Sequence, residues 1–493
     1  MKILLKFLVL GLLSALLFPP FFILPIGFII FPTIFFLISK QEYIKKSKSF
    51  HFLTGFFYGL GLNLLVLNWI KEPFLLDSNS KNIFILSYLL IIYCSIFYGI
   101  SFYFLSFFKN KILKLLLIPV FFVASEILRE IIGFGFPWVT FALVNSSQST
   151  LLSLSYYFGT YGMSYITILL FLFPASIFLF LNNNNNFILK IYIYFSLMII
   201  FICLVLIFVR YNFIEYSNKK NITVSIAQMN FKQTEIINNN IANKRVREIQ
   251  EVINQNDSDL IIFAENNYPY MIENFQELNE KFINLQDNQS IIIGATNKLK
   301  SKFFNSLILF EKNKIQNFDK IILVPFGEFL PFRKFLNFID KIVGKNDYSP
   351  GIKERFIKTA QDIKILPVIC YEIIFFNNLL DTRNIDSNLL VNITNDSWFG
   401  DLSGPYQHFY LSRIRASEFN MSLIRVSNNG ISGVIDNYGK IIDFIPLNEK
   451  LIKKIKFSFI QKPSNLTDYH FLLYPFLIIL LLFALLLNKK QNE

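Results

Sequence analysis

Residues 363–372 read Ile363-Lys364-Ile365-Leu366-Pro367-Val368-Ile369-Cys370-Tyr371-Glu372. The apolar, β-branched run reads as a buried strand, and its end delivers a thiol and a carboxylate side by side. The chain has three cysteines. Cys94 and Cys203 fall inside apolar stretches, so Cys370 has no partner in its own segment. An unpaired thiol beside a carboxylate is a nucleophile candidate. A buried structural cysteine is the alternative, because free cysteine is among the most buried residue types.

Outward from that run, composition divides the chain. Its 493 residues are 53% hydrophobic with a mean hydropathy of +0.46, which points to a membrane protein. Residues 1–210 and 468–487 are almost continuous apolar runs. Residues 211–467 have the composition of a globular domain and are numerous enough to bury a core. The domains expected are therefore a seven-helix membrane domain at 1–210, a globular domain at 211–467, and a C-terminal transmembrane helix with its tail at 468–493. The net charge of +13 shows none of the clustering with aromatic platforms that nucleic-acid binding requires.

A helix needs about 20 apolar residues to span a bilayer. Eight stretches qualify as expected spans: 3–18, 21–39, 52–70, 83–108, 113–132, 162–181, 188–209 and 468–487. The first follows Lys2 and could be a signal peptide. No small-residue cleavage site follows it, and Pro19-Pro20 leads into another apolar run, so a retained hairpin is expected. Lys40, Lys45, Lys46 and Lys48 load one loop, Lys109, Lys111 and Lys114 another, and Lys489 and Lys490 the tail. The alternate loops are poor in charge or balanced. The positive-inside rule then places both termini in the cytoplasm and 211–467 on the outer face. Asn182 to Asn186 reads as a low-complexity connector. Glu126 and Arg129 share a helix face in the fifth span, where a mutual salt bridge and a lipid-headgroup site are both open. Trp138 stands where an interfacial tryptophan is expected.

In 211–467, β-rich runs occur at Thr223–Ala227, Leu260–Ala264, Ser290–Gly294, Ser306–Phe310, Ile363–Ile369, Leu389–Ile393, Ile424–Ser427 and Ile431–Ile435. A helical pattern runs through Ile237, Ile241, Val246, Ile249 and Ile253, and a second helix is expected from Tyr406 to Met421. Asn437-Tyr438-Gly439 reads as a turn between two late strands. Alternating strands and helices imply a layered α/β domain. Glu265, Lys320 and Cys370 stand beside such runs, where a rigid sheet presents functional side chains.

Glu265, Lys320 and Cys370, in that order, resemble the Glu-Lys-Cys triad of the nitrilase superfamily. The wider pattern resembles its membrane branch, apolipoprotein N-acyltransferase. The phrases that carry the likeness are Leu323-Val324-Pro325-Phe326-Gly327-Glu328, Ile369-Cys370-Tyr371-Glu372, Asn395-Asp396-Ser397-Trp398-Phe399-Gly400, Gly404-Pro405-Tyr406-Gln407-His408, Arg413-Ile414-Arg415-Ala416 and Asn428-Asn429-Gly430. The chain departs from the family at Phe231 to Ile236, where a tryptophan is common and none is present.

The resemblance implies an α-helical membrane bundle joined to an α/β nitrilase-like αββα sandwich in the periplasm, in a bacterial inner membrane. It implies a phospholipid acyl donor and a diacylglyceryl-modified prolipoprotein acceptor, with no cofactor and no metal; a monomer is expected. Cys370 would be the nucleophile, Glu265 the general base and Lys320 the oxyanion stabiliser. Glu328, Tyr371, Glu372 and Asn305 would support them. Trp398, Phe399, Trp138, Arg129 and Glu126 are candidates for substrate or lid contacts, and 336–350 for a lid. No zinc-spaced Cys/His cluster, EF-hand or phosphate loop is present in the sequence. Three rivals remain: a membrane-anchored nitrilase-type amidase or lipid hydrolase, a Cys370-His408-Asn395 or Asp396 enzyme, and a transporter. The last lacks repeat symmetry.

Overall fold

In a computed structural model the run Lys364–Ile369 is a fully interior strand, flanked on one side by Leu389–Thr394 in parallel register and on the other by Ile357–Lys358. The structure describes the chain apart from residues 77–79, 183–186, 214–217, 233–236, 276–277, 279–288, 313, 337–345, 353, 381–386, 465 and 493. Most of the expected lid at 336–350, most of the asparagine connector and the end of the Phe231–Ile236 departure thus lie outside the described residues. The chain divides into two units: Met1–Lys71 with Ile85–Glu215 and Leu466–Glu493, and Glu72–Phe84 with Tyr216–Asn465.

The first unit is helical, the arrangement that satisfies backbone polar groups within each segment. Its principal helices are α1 (Lys2–Ser14), α2 (Gly27–Ile38), α3 (Lys48–Val66), α4 (Tyr88–Leu105), α5 (Lys111–Ile131), α6 (Ser155–Asn182), α7 (Phe187–Asn212) and a C-terminal helix, Leu473–Asn492. Among the described residues five stretches are long and apolar enough to cross a bilayer: Lys48–Val66, Lys81–Leu105, Ser155–Asn182, Phe187–Asn212 and Thr467–Lys489. That is fewer than the eight expected. The other three stretches are helical, but α1 and α2 have only 13 and 12 residues. Each is extended by a 3-10 turn, Ala15–Leu17 after α1 and Leu24–Ile26 before α2. The third, α5, carries Lys111, Lys114, Glu126, Arg129 and Glu130.

The helices meet through small residues and aromatic rings. A Cβ on Gly11 would lie 2.0 Å from the Tyr58 carbonyl oxygen, and one on Gly61 2.1 Å from that of Leu8, so only glycine lets α1 and α3 approach this closely. The Phe122 ring sits 5.6–6.1 Å from those of Tyr58, Tyr98, Phe102, Phe31 and Phe141. Glu126 accepts from Thr140 Oγ1 (2.8 Å), Ser164 Oγ (2.7 Å) and the Phe141 N–H (2.8 Å). Arg129 Nη2 donates to the Val139 carbonyl at 2.6 Å. Both charges are buried and fasten the segment Val139–Phe141. Trp138, fully buried, lies 4.5 Å from the Trp69 ring.

The second unit contains two six-stranded sheets. The first has the order β12-β1-β2-β3-β4-β5, from Lys219–Gln228 (β1), Leu260–Phe263 (β2), Ser290–Leu299 (β3), Lys302–Glu311 (β4), Lys314–Asp319 (β5) and Leu451–Ile460 (β12). The second has the order β11-β10-β9-β8-β7-β6, from Ile357–Lys358 (β6), Lys364–Ile369 (β7), Leu389–Thr394 (β8), Ser422–Ser427 (β9), Ser432–Ile435 (β10) and Ile441–Ile445 (β11). In each, three adjacent strands run parallel: β1-β2-β3 and β7-β8-β9. Parallel neighbours need crossovers. Helix α8 (Asn239–Asn254) links β1 to β2, and α9 (Ser403–Glu418) links β8 to β9. All eight expected strand runs fall on these strands to within one residue; Ala264, Ile363 and Ile431 lie just outside them. The weakly patterned Lys314–Asp319, Ile357–Lys358 and Leu451–Ile460 were not anticipated.

Sequence pattern explains the layering. Asn238 caps α8 by accepting from the Ile241 N–H at 2.9 Å. Val246, Ile249 and Ile253 then share a core with Ile261, Phe263, Ile291, Ile293, Ile308 and Phe310. The alternate residues Leu260, Ile262, Ile292, Leu307 and Leu309 are also buried. A sheet covered on both faces explains why these strands read as continuous apolar runs. The short helix Glu72–Leu76, which the sequence reading placed within 1–210, packs in this unit against Asp396–Phe399.

Candidate active site

The site forms where parallel strands end. Glu265 follows β2, Cys370 follows β7, Asp396 follows β8 and Asn428 follows β9. Lys320 directly follows β5. Two backbone bonds fix its position: the Lys320 N–H donates to the Asn305 carbonyl and the Gly351 N–H to the Lys320 carbonyl, each at 2.8 Å.

Lys320, 1% exposed, lies between two carboxylates. Its Nζ is 2.9 Å from Glu328 Oε1 and 3.5 Å from Glu265 Oε1. Asn305 Nδ2 donates to both of those oxygens at 2.7 Å, and the Val324 N–H donates to Glu328 Oε2 at 2.7 Å. Glu328 thus holds the closer grip on the lysine. Burial pushes the Glu265 carboxyl above its ordinary range; Lys320 opposes this and Glu328 adds to it. The nearby carboxylates hold the Lys320 ammonium charged despite its burial.

The Cys370 thiol lies near enough to Glu265, Lys320 and Thr394 for each to act on its proton affinity. Burial pushes the thiol well above its ordinary value and the Glu265 carboxylate adds to that. Lys320 pulls the other way, but burial wins, so the resting group is a neutral thiol. A neutral thiol beside a carboxylate of raised proton affinity is arranged for proton transfer during attack. The Cys370 backbone is left-handed, with φ +50°. For an L residue that costs on the order of 1–2 kcal/mol.

Glu372 is fully buried. It accepts from the Ile321 N–H (2.8 Å), the Ile322 N–H (3.1 Å) and the Ile369 N–H (2.8 Å), and pairs with both terminal nitrogens of Arg355. It therefore ties the segment after Lys320 to the turn that carries Cys370. Tyr371 is buried with its ring 5.0 Å from that of Phe375. Trp398 is 40% exposed, while the Phe399 ring packs edge-on against His408 at 5.5 Å. Trp138, Arg129 and Glu126 belong to the first unit.

Both nitrogens of the His408 ring are engaged. Its Nδ1 is 2.8 Å from Asp396 Oδ1, and its Nε2 faces the Cys370 carbonyl oxygen at 3.3 Å. Burial lowers the proton affinity of His408 and Arg425 lowers it further, with Asp396 opposing. Burial works against the Asp396 charge, but Arg425 and His408 override it and hold the carboxyl well below the ordinary range. The Asn428-Asn429-Gly430 phrase belongs to the same layer: a Cβ on Gly430 would lie 2.2 Å from Asp396 Oδ2, so only glycine fits there.

Sequence reasoning missed Arg355, Thr394 and Arg425. Arg425 left a signal, a lone cation inside the apolar strand Leu423–Val426. Arg355, in Lys-Glu-Arg-Phe, left none. No group of three or more His, Cys, Asp or Glu suited to a metal occurs among the described residues.

Residues 10–173 match the family described as apolipoprotein N-acyltransferase N-terminal domain, and residues 223–462 the family described as carbon-nitrogen hydrolase. The chain is similar to an apolipoprotein N-acyltransferase of Rickettsia typhi, 30% identical over 89% of this chain and 89% of that protein. It is also similar to one of Rickettsia bellii, 30% identical over 98% of each. Among solved structures, the nitrilase-superfamily protein Nit3 of Saccharomyces cerevisiae is 19% identical, covering 49% of this chain and 90% of that one with a TM-score of 0.37. Two family matches in tandem and relatives similar along nearly the whole length place this chain in the apolipoprotein N-acyltransferase family.

Proposed function

We propose that the protein transfers a fatty acyl chain from a phospholipid to the N-terminal amine of diacylglyceryl-cysteine apolipoproteins, through a thioester on Cys370. The observation that carries this reading is the convergence of Cys370, Glu265 and Lys320 in one buried cluster of a chain belonging to this family. Domains at 1–210, 211–467 and 468–493, eight crossings with both termini in the cytoplasm, and a catalytic domain on the outer face of a bacterial inner membrane are part of the same proposal. The lysine distribution supports the orientation.

In the first half-reaction Cys370 Sγ attacks the phospholipid ester carbon while Glu265 takes the thiol proton. Lys320 Nζ stabilises the tetrahedral oxyanion. The C–O bond breaks, Glu265 returns the proton to the leaving oxygen, and lysophospholipid departs. In the second, the acceptor amine attacks the thioester, Glu265 accepts its proton, the C–S bond breaks and the thiol is restored. Glu328 and Asn305 hold Lys320 and Glu265 in place. Glu372 and Arg355 set the backbone that carries Lys320 and Cys370. Trp398 and Phe399 wall the approach.

Intact mass measurement of the purified protein incubated with phospholipid tests the proposal. The expected result is one added fatty acyl group on Cys370, absent from Cys370→Ser and discharged by a diacylated lipopeptide to give an N-acyl product. Release of free fatty acid with no acylated amine identifies a hydrolase and sinks the transfer reading.

A further inference from the structure

We infer that Asn267 and Asn428 are positioning residues: one amide-to-amide hydrogen bond between them joins the turn that carries Glu265 to the sheet that carries Cys370. The inference rests on the reading of Glu265 as the base and Cys370 as the nucleophile, and goes beyond it by naming what ties the two together.

The two groups need such a tie. Glu265 follows β2 of the first sheet and Cys370 follows β7 of the second, so no strand ladder runs from one to the other. Glu265 sits in a tight turn, Ala264 to Asn267, which Asn267 closes twice. Its side-chain Oδ1 accepts from the Ala264 N–H at 3.0 Å, and its own N–H donates to the Ala264 carbonyl at 3.4 Å. Asn266 within the turn is left-handed, with φ +52°, a conformation that asparagine adopts more readily than most residues. A Cβ on Gly294 would lie 2.5 Å from Glu265 Cα, so the turn also packs directly on β3.

The far end of the bond is anchored in the second sheet. Asn428 follows β9, and its N–H donates to the carbonyl of Thr394, the last residue of β8, at 3.1 Å. Strand β8 in turn pairs with β7, whose end carries Cys370. The Asn428 side chain grips the Phe231 backbone: Oδ1 accepts from the Phe231 N–H at 3.0 Å and Nδ2 donates to the Phe231 carbonyl at 2.8 Å. Nδ2 also donates to Ser397 Oγ at 3.2 Å. Between these two anchored side chains, Asn267 Nδ2 donates to Asn428 Oδ1 at 3.1 Å. Both asparagines are buried.

Backbone groups decide which way each amide points. A backbone N–H only donates and a carbonyl only accepts. The Ala264 N–H therefore fixes Oδ1 of Asn267, and the Phe231 N–H and carbonyl fix both ends of Asn428. The atoms left facing each other are a donor on Asn267 and an acceptor on Asn428. Neither amide can turn over without losing a backbone partner. Displacing a reacting group by about 1 Å costs about 100-fold in rate, so a link that fixes the turn of the base acts on the chemical step.

The test uses Asn267→Ala, Asn428→Ala and the double variant in the full-length protein, each assayed well below its own melting temperature. With phosphatidylethanolamine vesicles as donor, single-turnover formation of the Cys370 adduct should fall about 10- to 100-fold in each single variant, with the half-saturating donor concentration unchanged. Glu265 serves both half-reactions, so discharge of the adduct to a diacylated lipopeptide should slow by a similar factor. The double variant should be no slower than the slower single one, since the two side chains act as one link. Asn429→Ala is the control: that side chain bonds Ser397 and Asn448 instead, and its rate should stay within about threefold of wild type. Wild-type rates in either single variant, losses that multiply in the double variant, an effect confined to the half-saturating concentration, or an equal loss in Asn429→Ala overturn the inference. Where Asn428→Ala fails to fold, Asn267→Asp supplies the test. It keeps an oxygen for the Ala264 N–H but sets a second oxygen against Asn428 Oδ1, so it should be as slow as Asn267→Ala; a wild-type rate overturns the inference. Persistent acyl transfer by Cys370→Ser, or an undiminished rate in Glu265→Gln, would instead remove the reading on which the inference rests.

Discussion

Arg355 grips both oxygens of Glu372: Nη1 donates to Oε2 and Nη2 to Oε1, each at 2.8 Å, and both residues are buried. The pair lies beside the turn that carries Cys370. Glu372 also accepts from the backbone after Lys320 and before Cys370, and Arg355 also donates to Asn378 Oδ1 and the Pro367 carbonyl. One ion pair thus helps to tie the segment after Lys320 to the turn that carries Cys370, although the two follow strands of different sheets.

Removing the cation should be costly. In Arg355→Met the Glu372 carboxylate keeps its backbone donors but loses its counter-ion. The expected destabilisation is about 3–5 kcal/mol, read by thermal or denaturant unfolding. Acyl-adduct formation should fall too. A variant with unchanged melting temperature and full activity would show that the pair holds nothing.

Glu265→Gln should separate activity from stability. Thioester formation should drop about 10²- to 10⁴-fold as the base is lost. Burial raises the proton affinity of this carboxyl in the folded state. A carboxyl whose pKa is raised on folding subtracts stability once pH climbs from its unfolded value through its folded value. The variant should therefore melt no lower than wild type at neutral pH, and the gap should close as pH falls toward about 4. A lower melting temperature at neutral pH contradicts the assignment.

The rate of adduct formation should follow the ionisation of Glu265. The base must be deprotonated, and its pKa lies above the ordinary carboxylate range. The rate should thus fall with acidity at a pH higher than the about 4.3 of a free glutamate. Burial also keeps Cys370 as a neutral thiol, so alkylation by iodoacetamide should be slow at neutral pH and rise with alkalinity. Fast alkylation at neutral pH would indicate a preformed thiolate.

Asp396 and Glu372 predict the opposite stability trend from Glu265. Both carboxyls are held low in the folded state, burial being outweighed by Arg425 and His408 in one case and by Arg355 in the other. Their contribution is complete above their unfolded values of about 4 and is lost as pH falls through the folded ones. Asp396→Asn should flatten the acid limb of the melting-temperature profile. An unchanged limb would count against the buried network.

Gly430→Ala should destabilise the site layer. The added methyl would meet Asp396 Oδ2 at 2.2 Å and Ser427 Oγ at 2.6 Å, and both atoms are held by other hydrogen bonds. Overpacking of this kind costs about 1–3 kcal/mol, measurable by thermal unfolding. A neutral effect would mean that the layer can shift to accept it.

The sequence by itself determined the two-part composition of the chain, because apolar runs and mixed polarity are properties of local stretches. It also located eight strand runs, since a sheet buried on both faces writes its strands as uninterrupted apolar residues. Glu265, Lys320 and Cys370 were legible as residues at strand ends. Local pattern faded where burial was partial, as in Lys314–Asp319 and Leu451–Ile460. Five of the eight expected spans are long apolar helices among the described residues; the other three are helical but short or interrupted by charged residues, features that a run of hydropathy does not weigh.

Only the tertiary structure decided which of the polar residues cooperate. Arg355 meets Glu372 across 17 positions of chain, and Arg425 meets Asp396 across 29. Nothing local in Lys-Glu-Arg-Phe distinguishes a buried counter-ion from a surface arginine. The same holds for His408, whose Nε2 faces the Cys370 carbonyl oxygen and whose Nδ1 faces Asp396. Which nitrogen faces which atom depends on how α9 is set behind β7 and β8, and packing fixes that setting where periodicity is silent.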